Sequence, residues 1–155
     1  MDNIILQNQV FGQSTWVDYI QRSMLTSGQL AALVEQGVTG LTSNPTIFEK
    51  AITTSTDYDE ALKEIPYDGR SAIDVFETLA LEDIRGAADI LRTVYDRTTA
   101  IDGYVSLEVP PALAHSSDKT VVEARRLFNL VARPNIMIKV PATEAGISAI
   151  TTLIG

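Results

Sequence analysis

The sequence predicts an α/β fold of the (β/α)8 type, with this 155-residue chain supplying about the first four β/α units as a half barrel. Three observations carry that reading. Strand-like and helix-like segments alternate, which implies parallel strands joined by right-handed helical crossovers. Each strand-like segment has one apolar row suited to packing under helices. Each also has a polar or ionisable group near its C-terminal end on the opposite row. An open doubly wound sheet fits the alternation too, but there both faces lie under helices and such groups would be costly to bury. In a closed barrel they point inward, at the end where barrel enzymes place their chemistry. The pattern favours the barrel, and with no repeat, low-complexity tract or linker the chain 1–155 reads as one domain.

The elements follow in order. "TWVDYI" (Thr15 to Ile20) is rich in aromatic and β-branched residues and reads as the first strand. "TSGQLAALVEQG" has Leu30, Leu33 and Val34 at helical spacing, with Thr26 or Ser27 to cap its start and Gly37 its end. Val38 to Asn44 reads as the second strand. Pro45 suits a first helical position, and Thr46 with Glu49 fits a capping box for "TIFEKAI". Residues 53–69 are polar and turn-rich, with a short helix around Tyr58 to Glu64. Between Ser71 and Thr98, apolar residues recur in steps of three and four, as one long amphipathic helix or two consecutive ones. Tyr104 to Val109 is the third strand, stopped by two prolines. Ser117 or Asp118 caps a helix with an apolar stripe of Val122, Leu127, Phe128 and Val131, and "ARPN" ends it. "IMIKVP" is the fourth strand. Thr143 with Gly146 marks a turn before a last helix, "GISAITTLIG".

Composition narrows the function. Hydrophobic residues make up 45% of the chain, enough for the core of one globular domain. The net charge of −8 argues against nucleic-acid and anionic-membrane partners, which need a basic footprint. A phosphorylated small substrate needs only a few local donors and stays open. The absence of cysteine excludes disulfides, thiolate chemistry and cysteine-ligated metals. "MDNIILQNQV" lacks a basic region followed by a long apolar run, and no stretch reaches membrane-span length, so a cytoplasmic protein is expected.

The polar row holds the chemistry. Strand alternation puts Asp18 with Trp16, Asn44 with Thr42, Glu108 with Ser106, and Lys139 with Met137. Singly, each has a bland explanation: Asp18 ends a strand, Asn44 caps a helix, Glu108 sits at an exposed strand end, Lys139 snorkels to a rim. Four in consecutive strands, all at one end, are harder to dismiss. A lysine in a partly desolvated pocket has a lowered pKa, and its neutral amine attacks a carbonyl to form a Schiff base. The iminium withdraws electrons, so a neighbouring carbon–carbon bond breaks or forms with help from acid–base groups within reach. Asp18 and Glu108 suit that work, and Asn44 suits a substrate hydroxyl. The set fits a cofactor-free aldol reaction better than a metal site, and there is no glycine-rich phosphate loop. His115, in "ALAHSSDK", reads as a solvated loop residue and Trp16 as packing.

"GLTSNPTIFEKAI", "GYVSLEVPP" and "RPNIMIKVPATEAG" resemble the signature segments of transaldolases, most closely the actinobacterial and cyanobacterial type. "STWVDYIQRSMLTSGQLAALVEQGVTG" is similar to the same family's first strand and helix, so the resemblance runs from about Thr15 onward. It implies a (β/α)8 barrel enzyme of the pentose phosphate pathway. Such an enzyme moves a dihydroxyacetone unit from sedoheptulose 7-phosphate to glyceraldehyde 3-phosphate, without metal or organic cofactor. By the same resemblance Lys139 is the Schiff-base lysine, Asp18 the acid–base group and Glu108 the residue that positions a catalytic water. Asn44, with Thr42 and Ser43, binds the dihydroxyacetone hydroxyls. "AHSSDKT" departs from the family's more usual acidic, threonine-containing loop. Family members are roughly twice as long, so four strands and the phosphate-gripping arginine would lie in a C-terminal half absent here. A half barrel leaves two strand edges unpaired and its inner face uncovered. That predicts self-association, and it leaves two expectations for the chain alone: an aldol enzyme with little or no activity, or a non-catalytic half barrel stable only as an assembly.

Overall fold

A computed structural model of the chain describes residues 3–66 and 68–155. A short N-terminal helix, α1 (Ile4–Gln9), is capped by Asn3, whose Oδ1 accepts from the Ile5 and Leu6 amides. Then come β1 (Trp16–Asp18), α2 (Arg22–Thr26), α3 (Gln29–Glu35), β2 (Gly40–Thr42), α4 (Pro45–Thr54), α5 (Asp59–Glu64) and α6 (Ala72–Arg97). They are followed by β3 (Val105–Glu108), a 3-10 turn at Pro111–Leu113, α7 (Ser117–Val131), β4 (Ile136–Lys139) and α8 (Glu144–Ile154). The strands form one sheet in the order β1-β2-β3-β4, every pair parallel. This is the architecture of half a (β/α)8 barrel. Among the described residues no helix is long and apolar enough to cross a membrane.

Register fixes which side chains share a face. Asp18 pairs with Thr42, Thr42 with Ser106, and Ser106 with Met137. Glu108 pairs with Lys139. The polar row is therefore continuous across the strands, as the alternation predicts. The opposite row supplies Leu41, Val105, Val109 and Ile136 to the main core, where they meet Met24, Leu30, Ile84, Leu91 and Leu127 from the helices. On the polar face Met137 is 43% exposed.

Several local expectations are corrected. The first helical region is two helices. Thr26 ends α2, with its hydroxyl donating back to the Arg22 carbonyl, and Ser27 is the C-cap of α2. Gly28, at φ 81°, stands at the N-cap of α3. No Thr46–Glu49 box starts α4. Pro45 is its first residue, and Asn44 caps it by accepting from the Ile47 amide at 2.9 Å. The stretch from Ala72 to Arg97 is a single helix of 26 residues, about 39 Å long at 1.5 Å per residue. It is opened by a reciprocal capping box between Ser71 and Asp74. The α7 helix begins at Ser117, after Ser116. Its buried stripe is Thr120, Val121, Ala124, Leu127 and Val131, while Val122 and Phe128 are 68% and 47% exposed. The buried row starts two residues earlier, at Thr120.

Three features hold the strand ends. Gly40 pairs with Trp16, and a Cβ at Gly40 would lie 2.3 Å from the indole. The ring packs across the neighbouring strand because no side chain is there. Asn135, fully buried just before β4, donates from Nδ2 to the Ala88 carbonyl of α6 at 2.8 Å and to Gly103 at 2.9 Å. At Gly146 a Cβ would sit 1.8 Å from the Pro141 carbonyl oxygen, so only glycine allows α8 to start so close to β4.

A buried polar cluster fastens the exit of β1. Arg22 Nε donates to Asp83 at 2.8 Å, the Tyr58 hydroxyl donates to the same carboxylate at 2.7 Å, and the guanidinium lies 4.8 Å from the Tyr58 ring centre. Burial raises the Asp83 pKa above its ordinary value, against the pull of the Tyr58 hydrogen bond and the Arg22 charge. Burial also raises that of Tyr58, and its hydrogen bond to Asp83 adds to the effect. Beside the cluster, Asp57 accepts from Gln21 Nε2 at 2.9 Å and from the Ser23 amide at 3.0 Å. The Ser23 side chain, followed by the Gln21 side chain, is the main reason its pKa is lowered.

Two predictions follow from this packing. Gly40→Ala forces the Trp16 ring out of place and lowers stability by about 1–3 kcal/mol in urea unfolding. Arg22→Ala leaves the Asp83 carboxylate buried without its cation and costs about 3–5 kcal/mol at neutral pH. A carboxyl whose folded pKa is raised favours the fold below its unfolded value and loses that contribution as pH rises through the folded value. The Arg22→Ala deficit should therefore shrink on acidification, measured as unfolding midpoints against pH.

Candidate active site

The C-terminal ends of the four strands form the mouth of the half barrel. β1 delivers Asp18, which is exposed. β2 delivers Thr42, and β3 delivers Ser106 and Glu108. The Ser106 hydroxyl donates to Thr42 Oγ1 at 2.9 Å, tying two inward side chains of neighbouring strands together. β4 delivers Lys139, whose Nζ lies 3.1 Å from Glu108 Oε2. The two side chains are 36% and 25% exposed, so the ion pair is half in water. Its strand register, Glu108 opposite Lys139, is what makes the contact possible.

Asn44 lies two residues beyond the end of β2 and does two things. Its side-chain oxygen caps α4, and its two amide N–H donors are not used in that bond. A shallow, open depression brings together Asp18, Asn44, Glu108 and Pro111 with Thr46 and Lys50 of α4. Lys139 joins this surface through Glu108. Behind Asn44 and Glu108 lies an apolar cavity of about 250 Å³, lined by Phe48, Phe76, Leu81, Leu107 and Leu127.

Ser43 is not brought to the mouth. It is fully buried on the opposite row, and its hydroxyl donates to the Ser106 carbonyl at 2.8 Å. Lys50 is the group that sequence reading missed. It stands six residues after Asn44, on α4, and its cationic side chain borders the same depression. His115 is exposed in the loop after the 3-10 turn. Among the described residues no group of three or more His, Cys, Asp or Glu side chains is arranged to hold a metal ion.

With this geometry in hand, comparison with known proteins is decisive. The profile of the family described as Transaldolase/Fructose-6-phosphate aldolase matches residues 15–155. The chain belongs to the transaldolase/fructose-6-phosphate aldolase family. It is 46% identical over 153 residues to "Transaldolase 2" of Nostoc sp., covering 98% of this chain and 40% of that protein. It is 48% identical over 145 residues to "Transaldolase 2" of Streptomyces coelicolor, covering 93% of this chain and 39% of the relative. It is 50% identical over 141 residues to the transaldolase of Thermobifida fusca, covering 90% of this chain and 38% of the relative. The chain thus spans about two fifths of the length of the family members it matches.

The buried position of Ser43 separates a structural role from a binding one. Ser43→Ala should lower stability by about 1 kcal/mol, the loss of one buried hydrogen bond, in denaturant titration. The same variant should leave the reactivity of Lys139 toward carbonyl compounds unchanged.

Proposed function

We propose that this chain carries the Schiff-base half of a transaldolase. In this reading it transfers a dihydroxyacetone unit between sedoheptulose 7-phosphate and glyceraldehyde 3-phosphate in the pentose phosphate pathway. The observation that supports it best is the Lys139–Glu108 pair at 3.1 Å, at the C-terminal end of adjacent parallel strands. The family match over residues 15–155 gives that pair its context. The Lys139 amine attacks the ketose carbonyl, and the proton relay that releases water runs through Glu108 and a bound water. Asp18 takes the proton from the substrate hydroxyl as the carbon–carbon bond breaks. Asn44 and Thr42 hold the dihydroxyacetone hydroxyls, and Ser43 contributes by supporting the Ser106 backbone beneath them. No metal or organic cofactor enters this scheme.

A second reading is favoured by the openness of the mouth. Iminium chemistry needs a site that excludes water, and here Lys139 and Met137 face an uncovered half ring. In that reading the isolated chain binds without turnover, or serves only as a self-associated half barrel.

Borohydride reduction in the presence of fructose 6-phosphate separates the two. A mass gain on the peptide containing Lys139, absent in Lys139→Met, is the expected result. An adduct on another lysine, or none, would sink the catalytic reading. When a C-terminal half is supplied and turnover is measured, Asp18→Asn should still form the adduct. It should lose roughly 10²–10⁴-fold in rate, the range for removing a general acid–base group.

A further inference from the structure

The apolar cavity behind the mouth is walled by residues 44–127, from α4, α6, β3, the turn after it and α7. Among the described residues, none of those lining it belongs to an outer strand or to α8. Asn44, Pro45, Glu108 and Pro111 line this cavity on one side and the depression at the mouth on the other. Two hollows therefore share one wall.

The interior of the cavity is apolar and holds a pair of rings. Phe48 and Phe76 meet edge to face, with 6.3 Å between centres and 85° between planes. Phe48, Ala80, Leu81, Leu107 and Leu127 are buried. The carboxylates at the border already have partners. Arg126 Nη1 donates to Glu77 Oε1 at 2.9 Å, and Lys139 stands 3.1 Å from Glu108. Ile73, Pro110 and Pro111 are exposed at the rim. A space of about 250 Å³ is far larger than the gaps a packed interior keeps. Water fills such a space poorly, because each molecule needs about two to four polar partners. An apolar cavity of about 150 Å³ lined by Leu, Ile and Phe stays dry and takes up benzene. The cavity here is larger, with a lining of the same kind.

We propose that this cavity is a binding site for a small neutral aromatic molecule, entered past Ile73 and the two prolines. The guest joins Phe48 and Phe76 as a third ring, an arrangement that adds to simple burial. It restores the dispersion contacts that the lining forfeits around an empty space. Charge is selected against, because a carboxylate or ammonium would leave water for walls that offer it no partner. Since the wall is shared, a guest behind Asn44 and Glu108 limits how far both can shift. The mouth registers the guest without touching it. The site does not depend on Schiff-base chemistry at Lys139.

Toluene and benzoate carry a methyl and a carboxylate on the same ring, and both can be titrated into the intact chain. In a two-dimensional amide NMR titration toluene should bind saturably, with a dissociation constant on the order of 1 mM. The largest shifts should fall on Phe48, Phe76, Ala80 and Leu107, and the Asn44 side-chain amide should move with them. Benzoate should bind roughly tenfold more weakly, or not at all. Ala80→Leu adds an isopropyl group to the space. It should abolish toluene binding and raise the thermal midpoint by about 2–4 °C. Leu81→Phe is the second filling variant, should the first fail to fold.

Toluene that does not saturate, or shifts centred on another part of the surface, would overturn the proposal. So would equal affinity for toluene and benzoate, or toluene binding unchanged in the filling variants. An Asn44 amide that stays still while the ring residues shift would overturn the shared wall. If toluene is excluded once the remaining sequence of a relative is supplied, the cavity belongs to that segment and the proposal falls. If toluene binds as expected while no adduct forms at Lys139, the catalytic reading fails and the aromatic site stands.

Discussion

Everything at the mouth depends on four parallel strands pairing without a bulge. Side chains alternate across a strand, so one inserted residue would turn that strand's polar row into the helical layer. The strands are only three or four residues long. So few backbone bonds hold a register weakly by themselves. Packing of the outer row against the helices does part of the work. The rest comes from single side chains that span strands or bridge strand ends to helices. Trp16 lies over Gly40, Ser43 reaches the Ser106 carbonyl, Ser106 reaches Thr42, and Asn135 joins α6 to the entry of β3. Each is local, and together they leave Glu108 and Lys139 no alternative partner row.

The strands and the polar row were legible because period-two alternation is a local signal. The row therefore emerged intact, with Asp18, Thr42, Glu108 and Lys139 on one face. Alternation also separates Ser43 from Thr42 and Asn44. Family resemblance grouped the three, and the buried Ser43 hydroxyl shows the alternation to be the better guide to side-chain direction. What was illegible depends on contacts distant in sequence. Helix α2 is short, and its N-terminal residues are held by Tyr58, Asp83 and Asp57, more than thirty residues away. No pattern near Arg22 announces them. In α7 the large Val122 and Phe128 suggest the buried side, but the row that packs is Thr120, Val121, Ala124, Leu127 and Val131.

The molecule also separates two uses of charge. The Arg22–Asp83 pair is buried and serves position: it fastens the turn after β1, and with it the strand that ends in Asp18. The Lys139–Glu108 pair is partly exposed and lies at the open end of the sheet. A buried pair resists rearrangement because either partner alone is expensive in a dry interior. A half-wet pair yields easily, since water replaces whatever is lost. The first suits a scaffold and the second suits a reaction surface.

The near-contact between Gly146 and Pro141 bears on which part of the mouth can move. A helix that starts with no room for a methyl group beside the preceding strand has no slack in its link. Lys139 is thereby mounted on the stiff wall. Across from it, α5 and the C-terminal half of α4 rest on a small separate cluster around Ala51, Tyr58 and Leu79, while Phe48 ties the start of α4, beside Asn44, to the main core. Regions with few buried apolar contacts open first. Local opening is therefore expected to begin at α5 and the end of α4 that carries Lys50, and to come last at the strand that carries Lys139.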